Sequence, residues 1–296
     1  MRIGVIGVPG RWSSEHLADQ FGEKTGYRLL LSSDDITLRL ETLQAASNQS
    51  DLSSLDALVV KKLGPDYSHH IMDRVEVLRA IASSGLQVFP HPDAIAKAVN
   101  RLSCTVALRE ADIPIPETVI TEDLDEAYET VQRFGKAIFK PLFTSKARGM
   151  MFFDAKHTAP GELKEFREAG NPVMYIQKKV DIPGRDLGVV FLGEEYLATY
   201  ARVGTSDSWN TTTVFGGRYA KHEPSAEVLA VAKAAQSVFG LQFTSVDVAE
   251  TTDGPLVFEV SAFGGFRGLK ETQEIDAGKL YADHILELLT RDDSPV

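Results

Sequence analysis

The sequence predicts a mixed α/β and α+β fold, with an open α/β layer at the N-terminus and α+β structure in the rest of the chain. Strands and helices alternate over roughly residues 1–95, which is the pattern of a sheet covered by helices. Two later segments, residues 184–204 and 243–262, alternate like antiparallel hairpins. The chain has 296 residues, enough for one large domain or two to three smaller ones, and 43% hydrophobic and 25% charged residues are ordinary for a well-cored globular protein.

The N-terminal layer is predicted from short apolar strands and amphipathic helices. "RIGVIG" is typical of a buried strand, and "VPGRW" turns the chain into a helix that Ser13 or Ser14 would cap. Gly4, Gly7 and Gly10 do not match the dinucleotide-binding pattern, so we interpret Gly7 and Gly10 as tight-turn residues. The remaining segments of the layer are the strand "LDALVVKKLG", the helix "HIMDRVEVLRAIASSG" and the strand "LQVFPHP".

The rest of the chain continues with alternating helix and strand signals. Lys140 is notable because it lies within the apolar run of a predicted strand. The predicted order is a helix in "NRLSCTVALRE" with a stiff exit at Pro114 and Pro116, the helix "DLDEAYETVQRFG", the strand "KAIFKPLF", the polar loop "TSKARG" before a strand, the strand "NPVMYIQKKV", the hairpin turning at Gly193, and the helix "PSAEVLAVAKAAQSVFG".

Composition limits the function classes. A net charge of -11 argues against a general nucleic-acid or anionic-membrane surface, since both need a basic field. The single cysteine, Cys104, allows no intrachain disulfide and no Cys-rich zinc site, and its apolar helix favours a core position. Gly7, Pro9 and Gly10 interrupt the N-terminal apolar run, and no run approaches the roughly 20 residues of a membrane helix. We therefore expect a soluble, cytoplasmic protein.

The segment "FTSVDVAETTDGPLVFEVSA" is the most informative one. It predicts a hairpin whose three-residue loop, centred on Asp253, has Gly254 in the left-handed position. Asp247 then lies opposite Glu259, and the period of two adds Ser261 to the same face. Facing carboxylates repel each other, and oxygen ligands without His or Cys favour Mg²⁺ or Mn²⁺ over zinc. A solvent-facing edge hairpin is the alternative that spacing alone leaves open.

This hairpin and several upstream segments resemble the ATP-grasp ligases, in particular the RimK-like amino-acid ligases. "GPLVFEVSAFGGFRGLKETQEIDAGK" is similar to the family's metal-binding strand, small-residue loop and "ID…GK" helix. "NRLSCTVALREADIPIP" is similar to the helix and proline exit before the ATP-binding domain. "AIFKPLF" resembles the family's phosphate-lysine strand, and "IQKKVDIPGRD" resembles its adenine hinge. The resemblance covers roughly residues 95–290.

The resemblance implies the ATP-grasp fold. In this fold an N-terminal open α/β domain precedes two α+β lobes that clamp ATP. We expect the first domain over residues 1–98, the central lobe over 99–182, and the C-terminal lobe with the metal-binding hairpin over 183–296. The phrases "WSSE", "KPLFTSKARGM", "TSDSWNTT" and "EVSAFGGFRGLKE" are most similar to the GAK-system ATP-grasp subfamily, a label that brings no substrate.

The resemblance also implies roles for matching residues. Asp247 and Glu259 would bind Mg²⁺, two ions in all, with Ser261 where the family has asparagine. The residues implied for ATP are Arg101 and Lys140 on the phosphates, the backbone from Gln177 through Lys178 to Val180 on adenine, and Asp186 on ribose. Those implied for the transferred phosphoryl group or the acyl acceptor are Arg202 and Asn210.

Two further features are predicted to meet the substrate. Glycines in "SAFGGFRGLK" let backbone N–H groups converge on an anion, and Arg267 can clamp a carboxylate with two parallel hydrogen bonds. We expect Arg267, with Arg218, to bind the carboxylate substrate, and the alternative is that both are surface arginines. The polar segment 205–212, with its isolated Trp209, favours a mobile lid over an ordinary surface loop.

Three departures from the family pattern bear on the site. The small glycine-rich phosphate loop contains the added cations Lys146 and Arg148. The glutamate of the adenine hinge is replaced by Lys178, and the asparagine of the metal site by the shorter Ser261. Both acids and Lys140 are nevertheless present, which argues against a site that has lost its chemistry.

The implied function is an ATP- and Mg²⁺-dependent ligase. It would join a carboxylate, by way of an acyl phosphate, to the amine of an amino acid or small metabolite, with no covalent enzyme intermediate. A kinase acting on a non-carboxylate acceptor and a non-catalytic nucleotide-binding regulator are the alternatives. The implied partners are small molecules, with no nucleic acid and no membrane, and the family resemblance allows a homodimer.

Overall fold

The computed structural model describes residues 1–48, 50–205 and 209–292. Its strands are β1 (Ile3–Gly7), β2 (Leu30–Ser32), β3 (Thr37–Arg39), β4 (Gln44–Ala46), β5 (Ala57–Val60), β6 (Gln87–Phe89), β7 (Thr118–Thr121), β8 (Lys136–Lys140), β9 (Met151–Asp154), β10 (Met174–Lys178), β11 (Arg185–Leu192), β12 (Glu195–Val203), β13 (Arg218–Lys221), β14 (Phe243–Thr251) and β15 (Gly254–Val260). Its helices are α1 (Trp12–Thr25), α2 (His70–Ser83), α3 (Pro92–Val99), α4 (Arg101–Glu110), α5 (Leu124–Phe134), α6 (Pro160–Glu168), α7 (Ala226–Ser237), α8 (Arg267–Gln273) and α9 (Ala277–Asp292).

The N-terminal sheet is parallel, with the strand order β2-β1-β5-β6. This confirms the predicted open α/β layer, although the sequence interpretation passed over β2 and the small β3–β4 hairpin. The predicted serine cap of α1 is wrong. The helix begins one turn earlier, with Arg11 as a cap residue that makes no side-chain cap bond. Ser14 is buried instead, and its hydroxyl accepts the Val8 N–H at 3.0 Å, which closes the β1–α1 turn.

The central sheet is antiparallel, with the order β7-β10-β8-β9. Helices α5 and α6 cover one of its faces and form a compact core with it. The residues of this core include Val131, Phe139, Phe153, Phe166 and Ile176. Asp123 caps α5 by accepting the N–H groups of Asp125 and Glu126, and Gly135 ends it with a positive φ of 72° that glycine adopts without strain.

The C-terminal sheet is antiparallel, with the order β13-β12-β11-β14-β15. Helix α7 packs on one face together with α4, so that Cys104 and Leu108 share a core with Leu187 and Val246. Cys104 is therefore a core residue as predicted, and its burial raises the pKa of the thiol to about 12. The position of α4 also shows that the predicted start of the central lobe at residue 99 includes a helix that packs on the C-terminal sheet.

A third core joins the N-terminal and C-terminal sheets. It contains Ile3 and Phe21 from the start of the chain, and Phe243, Tyr281 and Ile285 from its last third. This core lies on the face of the C-terminal sheet opposite α7, which is also the face that carries the predicted acids. The Arg101–Glu259 pair links those acids to the loop after β8. In the part of the chain that the structure describes, no helix combines the length and apolar content needed to cross a bilayer.

Candidate active site

Strand register brings charged residues from β11, β12, β14 and β15 onto one face of the C-terminal sheet. Asp186 pairs with Arg202 across β11 and β12. Gly188, two residues after Asp186 and thus on the same face, pairs with Asp247, and Asp247 in turn pairs with Glu259. Four charged side chains thus form a row that crosses four adjacent strands.

The predicted opposition of Asp247 and Glu259 is confirmed, but the turn that produces it is shorter than predicted. Thr251 pairs with Gly254, which leaves a two-residue loop, and Val248 pairs with Val257. Asp247 nevertheless pairs with Glu259, because the register shifts by one residue at a bulge in β15. The bulge compensates for the shorter loop.

Asp247 has an unusual environment for a carboxylate. Its Oδ2 lies 2.9 Å from Arg202 Nη2, while its Oδ1 is buried with no hydrogen-bond partner. The pKa of Asp247 is raised to about 7, first by burial and then by the charges of Asp186 and Glu259, against the opposing effect of Arg202. An unsatisfied buried carboxylate oxygen beside two other acids is the arrangement that a cation would stabilise.

Arg202 links Asp247 to Asp186. Its Nε donates to both carboxylate oxygens of Asp186 at 3.1 and 3.2 Å, and its Nη2 contacts Asp186 Oδ2 as well. Burial alone would lower the pKa of Arg202, but the two carboxylates outweigh it and hold the pKa well above its usual range. Thr211 donates a further hydrogen bond to Asp186. Arg202 is thus a permanent cation within the row of charges.

Arg101 connects the metal-site acid Glu259 to the loop after β8. Its Nη1 lies 2.9 Å from Glu259 Oε2, its Nε donates to the Pro141 carbonyl at 3.1 Å, and its Nη2 donates to the Thr144 carbonyl at 3.1 Å. The side chain is 6% exposed, so these contacts are made away from bulk water. One arginine therefore fixes the distance between the acidic hairpin and the predicted phosphate loop.

Lys140 ends β8 as a buried lysine and faces the same acids. Its Nζ donates to Gln177 Oε1 at 2.5 Å and lies 5.3 Å from the ring centre of Phe258. Burial lowers the pKa of Lys140 to about 7, and the Arg101 charge adds to this effect, while the charges of Glu259 and the other site acids oppose it. The predicted phosphate lysine thus lies at the charged face, where an anion would restore its full charge.

The predicted adenine hinge follows at the end of β10. The Gln177 amide also donates to Thr118 Oγ1 and to the Tyr175 hydroxyl, both at 3.1 Å. Lys178 is exposed; its N–H donates to the Glu117 carbonyl, and its ammonium lies 3.5 Å from the Glu117 carboxylate. Val180 is half-buried in the connection to β11. A contact between this backbone and adenine stays a prediction.

Ser261 and Asn210 occupy defined positions near the row. The Ser261 N–H donates to the Ser245 carbonyl at 2.9 Å, and its own carbonyl accepts the Thr244 hydroxyl, which fixes the backbone directly after β15. Asn210 Oδ1 accepts from the N–H and the hydroxyl of Thr212. Three residues of the predicted lid, 206–208, lie outside the described residues.

The structure separates the two arginines that were expected to act together. Arg267 is the first residue of α8, is exposed, and lies 3.6 Å from Glu271. Arg218 pairs with Val203, so that it lies on the opposite face of the sheet from Arg202 and Tyr219. The register therefore places Arg218 on the face away from the charged row, and a contact between Arg267 and the acid substrate stays a prediction.

Sequence interpretation missed two residues that follow β5, Lys61 and Tyr67. Lys61 is buried, and its ammonium donates to the Gly264 carbonyl and lies 4.0 Å from the ring centre of Phe266. Burial, with a smaller effect of Lys62, lowers the pKa of Lys61 to about 7. Burial raises the pKa of Tyr67, and the Glu259 charge raises it as well. Their position after a central parallel strand was the available signal.

The row fits the magnesium prediction in its donor set. Carboxylate oxygens and a hydroxyl are hard ligands, and the unsatisfied Oδ1 of Asp247 lies among them. Within residues 1–48, 50–205 and 209–292, no three His, Cys, Asp or Glu side chains form a closed metal site. The hairpin acids would therefore leave most of the coordination shell to phosphate oxygens and water, as is usual for Mg²⁺.

Comparison with known proteins finds ligases of one family. The profile of the RimK-like ATP-grasp domain matches residues 98–285. Tetrahydromethanopterin:α-L-glutamate ligase from Methanosarcina acetivorans is 26% identical, with 97% of this chain and 98% of that protein covered. The enzyme of the same name from Methanocaldococcus jannaschii is 31% identical, with 81% and 80% covered.

Solved structures show the same fold at low sequence identity. A RimK domain ATP-grasp protein from Sphaerobacter thermophilus superposes with a TM-score of 0.75 at 20% identity, covering 96% of this chain and 99% of that one. The ATP-grasp ligase PsnB, in complex with a precursor variant, Mg and ADP, gives a TM-score of 0.74 at 18% identity, covering 97% and 98%.

Proposed function

The chain belongs to the RimK-like ATP-grasp family, and from that premise we propose that it joins a carboxylate to the amino group of an amino acid, with L-glutamate as the first candidate. It is an ATP-grasp ligase that forms a C–N bond. The choice of L-glutamate rests on relatives that are named α-L-glutamate ligases and cover nearly the whole chain.

The observation that carries the proposal is the row of charges together with the cations that contact or face it. Glu259 is paired with Arg101, Asp247 with Arg202, and the buried Lys140 faces the acids. Activation of a carboxylate forms a new P–O bond at a carboxylate oxygen and breaks the bond between the β- and γ-phosphates of ATP. Such a transfer needs positioned charges more than covalent help from the protein. The row supplies both signs at fixed positions.

Each cation at the site has a separate task. Lys140 and Arg101 would hold the phosphates from the side of the central sheet, and Arg202 would neutralise charge on the transferred group from the other side. The amine then attacks the acyl carbon, phosphate leaves with the electron pair of the C–O bond, and the nitrogen loses a proton. Asn210 is proposed to contact the acyl acceptor, Arg267 the carboxylate substrate, and Asp186 and the backbone of Gln177 to Val180 the nucleoside.

Magnesium fits the same row. Asp247 and Glu259 would hold it, with Ser261 close behind Glu259. When bound, Mg²⁺ would neutralise the phosphate charge and align the transferred group. Two ions, the lobe boundaries at residues 98 and 182, a homodimer and a cytoplasmic location stay predictions.

The experiment is Mg²⁺-dependent ADP release from ATP with a panel of carboxylates, each with and without L-glutamate or another amino acid. Wild type is compared with Glu259→Gln and with Glu165→Gln, an exposed glutamate on α6 that serves as the matched control. We expect turnover that needs both an acid and an amine, a loss of at least about 100-fold in Glu259→Gln, and no change in the control.

Two outcomes would contradict the proposal. ADP release that needs an acceptor but yields no amide by mass spectrometry would identify a kinase. Tight ATP binding without turnover for any acid and amine pair would favour a regulatory protein. Capture of a phosphoryl-enzyme or acyl-enzyme would contradict the absence of a covalent intermediate.

A further inference from the structure

The N-terminal sheet contains a crevice of a known type next to the charged row. The chain leaves β1 through α1 to β2 on one side of β1, whereas β5 lies on the other side. All three strands are parallel, so their carboxyl ends share one edge of the sheet. In open α/β sheets, ligands bind in the crevice outside the carboxyl ends of the strands where the connections change direction. Here that position is between β1 and β5.

Two cations flank this crevice. Arg11 is the last residue before α1, and Lys62 lies two residues after the end of β5. In the described part of the chain, neither side chain forms an ion pair or hydrogen bond with an acid, and the same is true of Lys146 in the loop after β8. The start of α1, a helix of 14 residues, adds the partial positive charge of its free N–H groups.

The loop after β8 brings further positive charge to the crevice. Burial lowers the pKa of Lys62, and the charges of Lys146, Arg11 and Arg148 lower it as well. Arg148 is fixed by an ion pair with Asp66 in the segment after β5. Lys146 has a positive φ of 60°, and the neighbouring Ala147, also at positive φ (57°), is buried. Such backbone strain in ordinary residues is typical of functional loops.

The crevice is continuous with the active site but uses different cations. Tyr67 follows Asp66 and packs against the core of the N-terminal sheet, and the charges of Glu259 and Arg148 act on its pKa in opposite directions. Arg101 holds the first part of the loop through the Thr144 carbonyl while it contacts Glu259. Lys140 is on the central sheet and Arg202 is on the C-terminal sheet. Arg11 and Lys62 instead lie in the loops that follow strands β1 and β5 of the N-terminal sheet.

We propose that this crevice, formed by Arg11, Lys62, Lys146 and Arg148, binds an anionic group of the acid substrate. The ligase would then select an acid that has a carboxylate or phosphate in addition to the carboxylate that is activated. The inference rests on the proposed function, because it assigns the class of acid to that site. A protein of net charge -11 repels anions in general, so a local group of four cations is needed to attract such an acid.

The test is calorimetric binding of tri-L-glutamate and of O-phospho-L-serine, each with saturating ADP and Mg²⁺ so that the nucleotide site is filled. Triglutamine is the uncharged control ligand. The variants are Lys62→Met and Arg11→Gln, the latter at an exposed position that the fold tolerates, with Lys233→Met on α7 as the control for lost charge. ADP affinity is measured separately for each protein.

We expect wild type to bind at least one of the two anions and not triglutamine. Binding should weaken by about fivefold to tenfold in each crevice variant, as for the loss of one charged contact, and stay unchanged in Lys233→Met. The anion that binds identifies the carboxylate or phosphate source. Absence of binding by both anions, or equal binding by wild type and variants, would overturn the inference.

Two results separate this inference from the proposed function. Loss of ADP affinity by a similar factor in Arg11→Gln or Lys62→Met would assign the crevice to the nucleotide and overturn the inference, while ligation could still occur. Efficient ligation of an acid with one carboxylate and no other anion, unaffected by Arg11→Gln, would do the same. Conversely, anion binding at the crevice without any acid- and amine-dependent ADP release would contradict the proposed ligation alone.

Discussion

The charge of Lys140 depends on what occupies the site. Because burial lowers its pKa to about 7, this lysine is largely neutral at pH 8 in the free protein. Phosphate groups would restore the charge, so we expect binding of Mg²⁺-free ADP at pH 8 to take up roughly one proton. Calorimetry in buffers of different ionisation enthalpy measures this uptake. Affinity for ADP should also fall as the pH rises above 7.

Lys140→Met should bind ADP more weakly and without proton uptake. Lys136→Met is the matched control, since this lysine begins the same strand and is exposed. If the variant at Lys140 took up as many protons as wild type, the uptake would belong to another group and Lys140 would not face the phosphates.

The raised pKa of Asp247 predicts that metal affinity rises with pH, whereas ADP affinity falls. Its pKa is raised to about 7, first by burial, so a metal must displace a proton at pH 6 but not at pH 8. We expect Mn²⁺, followed by electron paramagnetic resonance, to bind about tenfold more tightly at pH 8 than at pH 6. Asp247→Asn should bind weakly at both pH values. Asp253→Asn, in the turn of the same hairpin, should resemble wild type.

At the residue scale, the sequence identified acids more readily than their partners. Asp247 and Glu259 are found by the period of two on a single hairpin, a local pattern. The Arg101–Glu259 pair joins residues 158 positions apart, and no periodicity predicts it. Asp186 was assigned to ribose by resemblance, whereas the structure shows its carboxylate bound by Arg202 and Thr211.

At the scale of elements, α8 and the C-terminal sheet meet at one aromatic ring. Tyr200 on β12 packs between Gly188 on β11 and Gly268 on α8, where an added Cβ would lie 2.4 and 2.7 Å from ring atoms. We expect Gly268→Ala to lower the free energy of unfolding by about 1–3 kcal/mol through overpacking, as measured by urea denaturation. Because α8 begins with Arg267, the variant should also raise the KM for the acid.

The control for this prediction is Gly161→Ala in α6, where an added Cβ meets nothing within 4 Å. Alanine is the better helix former, so stability should stay the same or rise by up to about 1 kcal/mol. A Gly268→Ala protein as stable as wild type would show that the ring can move aside.

Strand pairing and helix caps were predicted less well than the elements themselves, because more than one local arrangement fits the same residues. The facing acids of β14 and β15 were predicted from a three-residue loop, yet a shorter loop and a bulge give the same pairing. A bulge costs little and leaves no mark in the sequence. Similarly, Ser13 and Ser14 match the cap preference, but the Ser14 hydroxyl bonds to the N–H of Val8 instead, which a serine preference does not reveal.

For the whole molecule, Lys61 links stability to pH. Its pKa of about 7, lowered by burial, compares with about 10.5 in the unfolded chain. Between these values the unfolded state holds one more proton, so the native state gains stability as the pH rises, by about 1.4 kcal/mol per pH unit for this lysine. Urea denaturation at several pH values from 7.5 to about 9.5 should show a slope smaller by this amount in Lys61→Met.

Lys140 contributes to the same slope, so Lys61→Met should reduce it without abolishing it. Lys233→Met, at an exposed position on α7, should leave the slope unchanged. An unchanged slope in Lys61→Met would mean that the ammonium keeps its proton through its contacts with the Gly264 carbonyl and the Phe266 ring.

The fold class and the order of elements could be predicted because strand and helix periods are local. The assembly of the site could not, since it depends on packing between sheets. Lys61 and Tyr67 follow strand β5 of the N-terminal sheet. The Lys61 ammonium donates to the carbonyl of Gly264, about 200 residues further along the chain, and the charge of Glu259 acts on Tyr67. A pattern within one element contains no information about such a distant contact.

The separate cores divide the molecule into two structural units. Ile3 and Phe21 share a core with Phe243 and Ile285, so the first and last sheets form one frame, while the core of the β7–β10 sheet lies within residues 119–176. The contacts between this frame and the part of the chain that contains the central sheet include the hydrogen bonds from Arg101 to the carbonyls of Pro141 and Thr144. Opening the cleft to release ADP therefore breaks these hydrogen bonds, and it also separates the ring of Phe143, in the loop after β8, from the core of the N-terminal sheet.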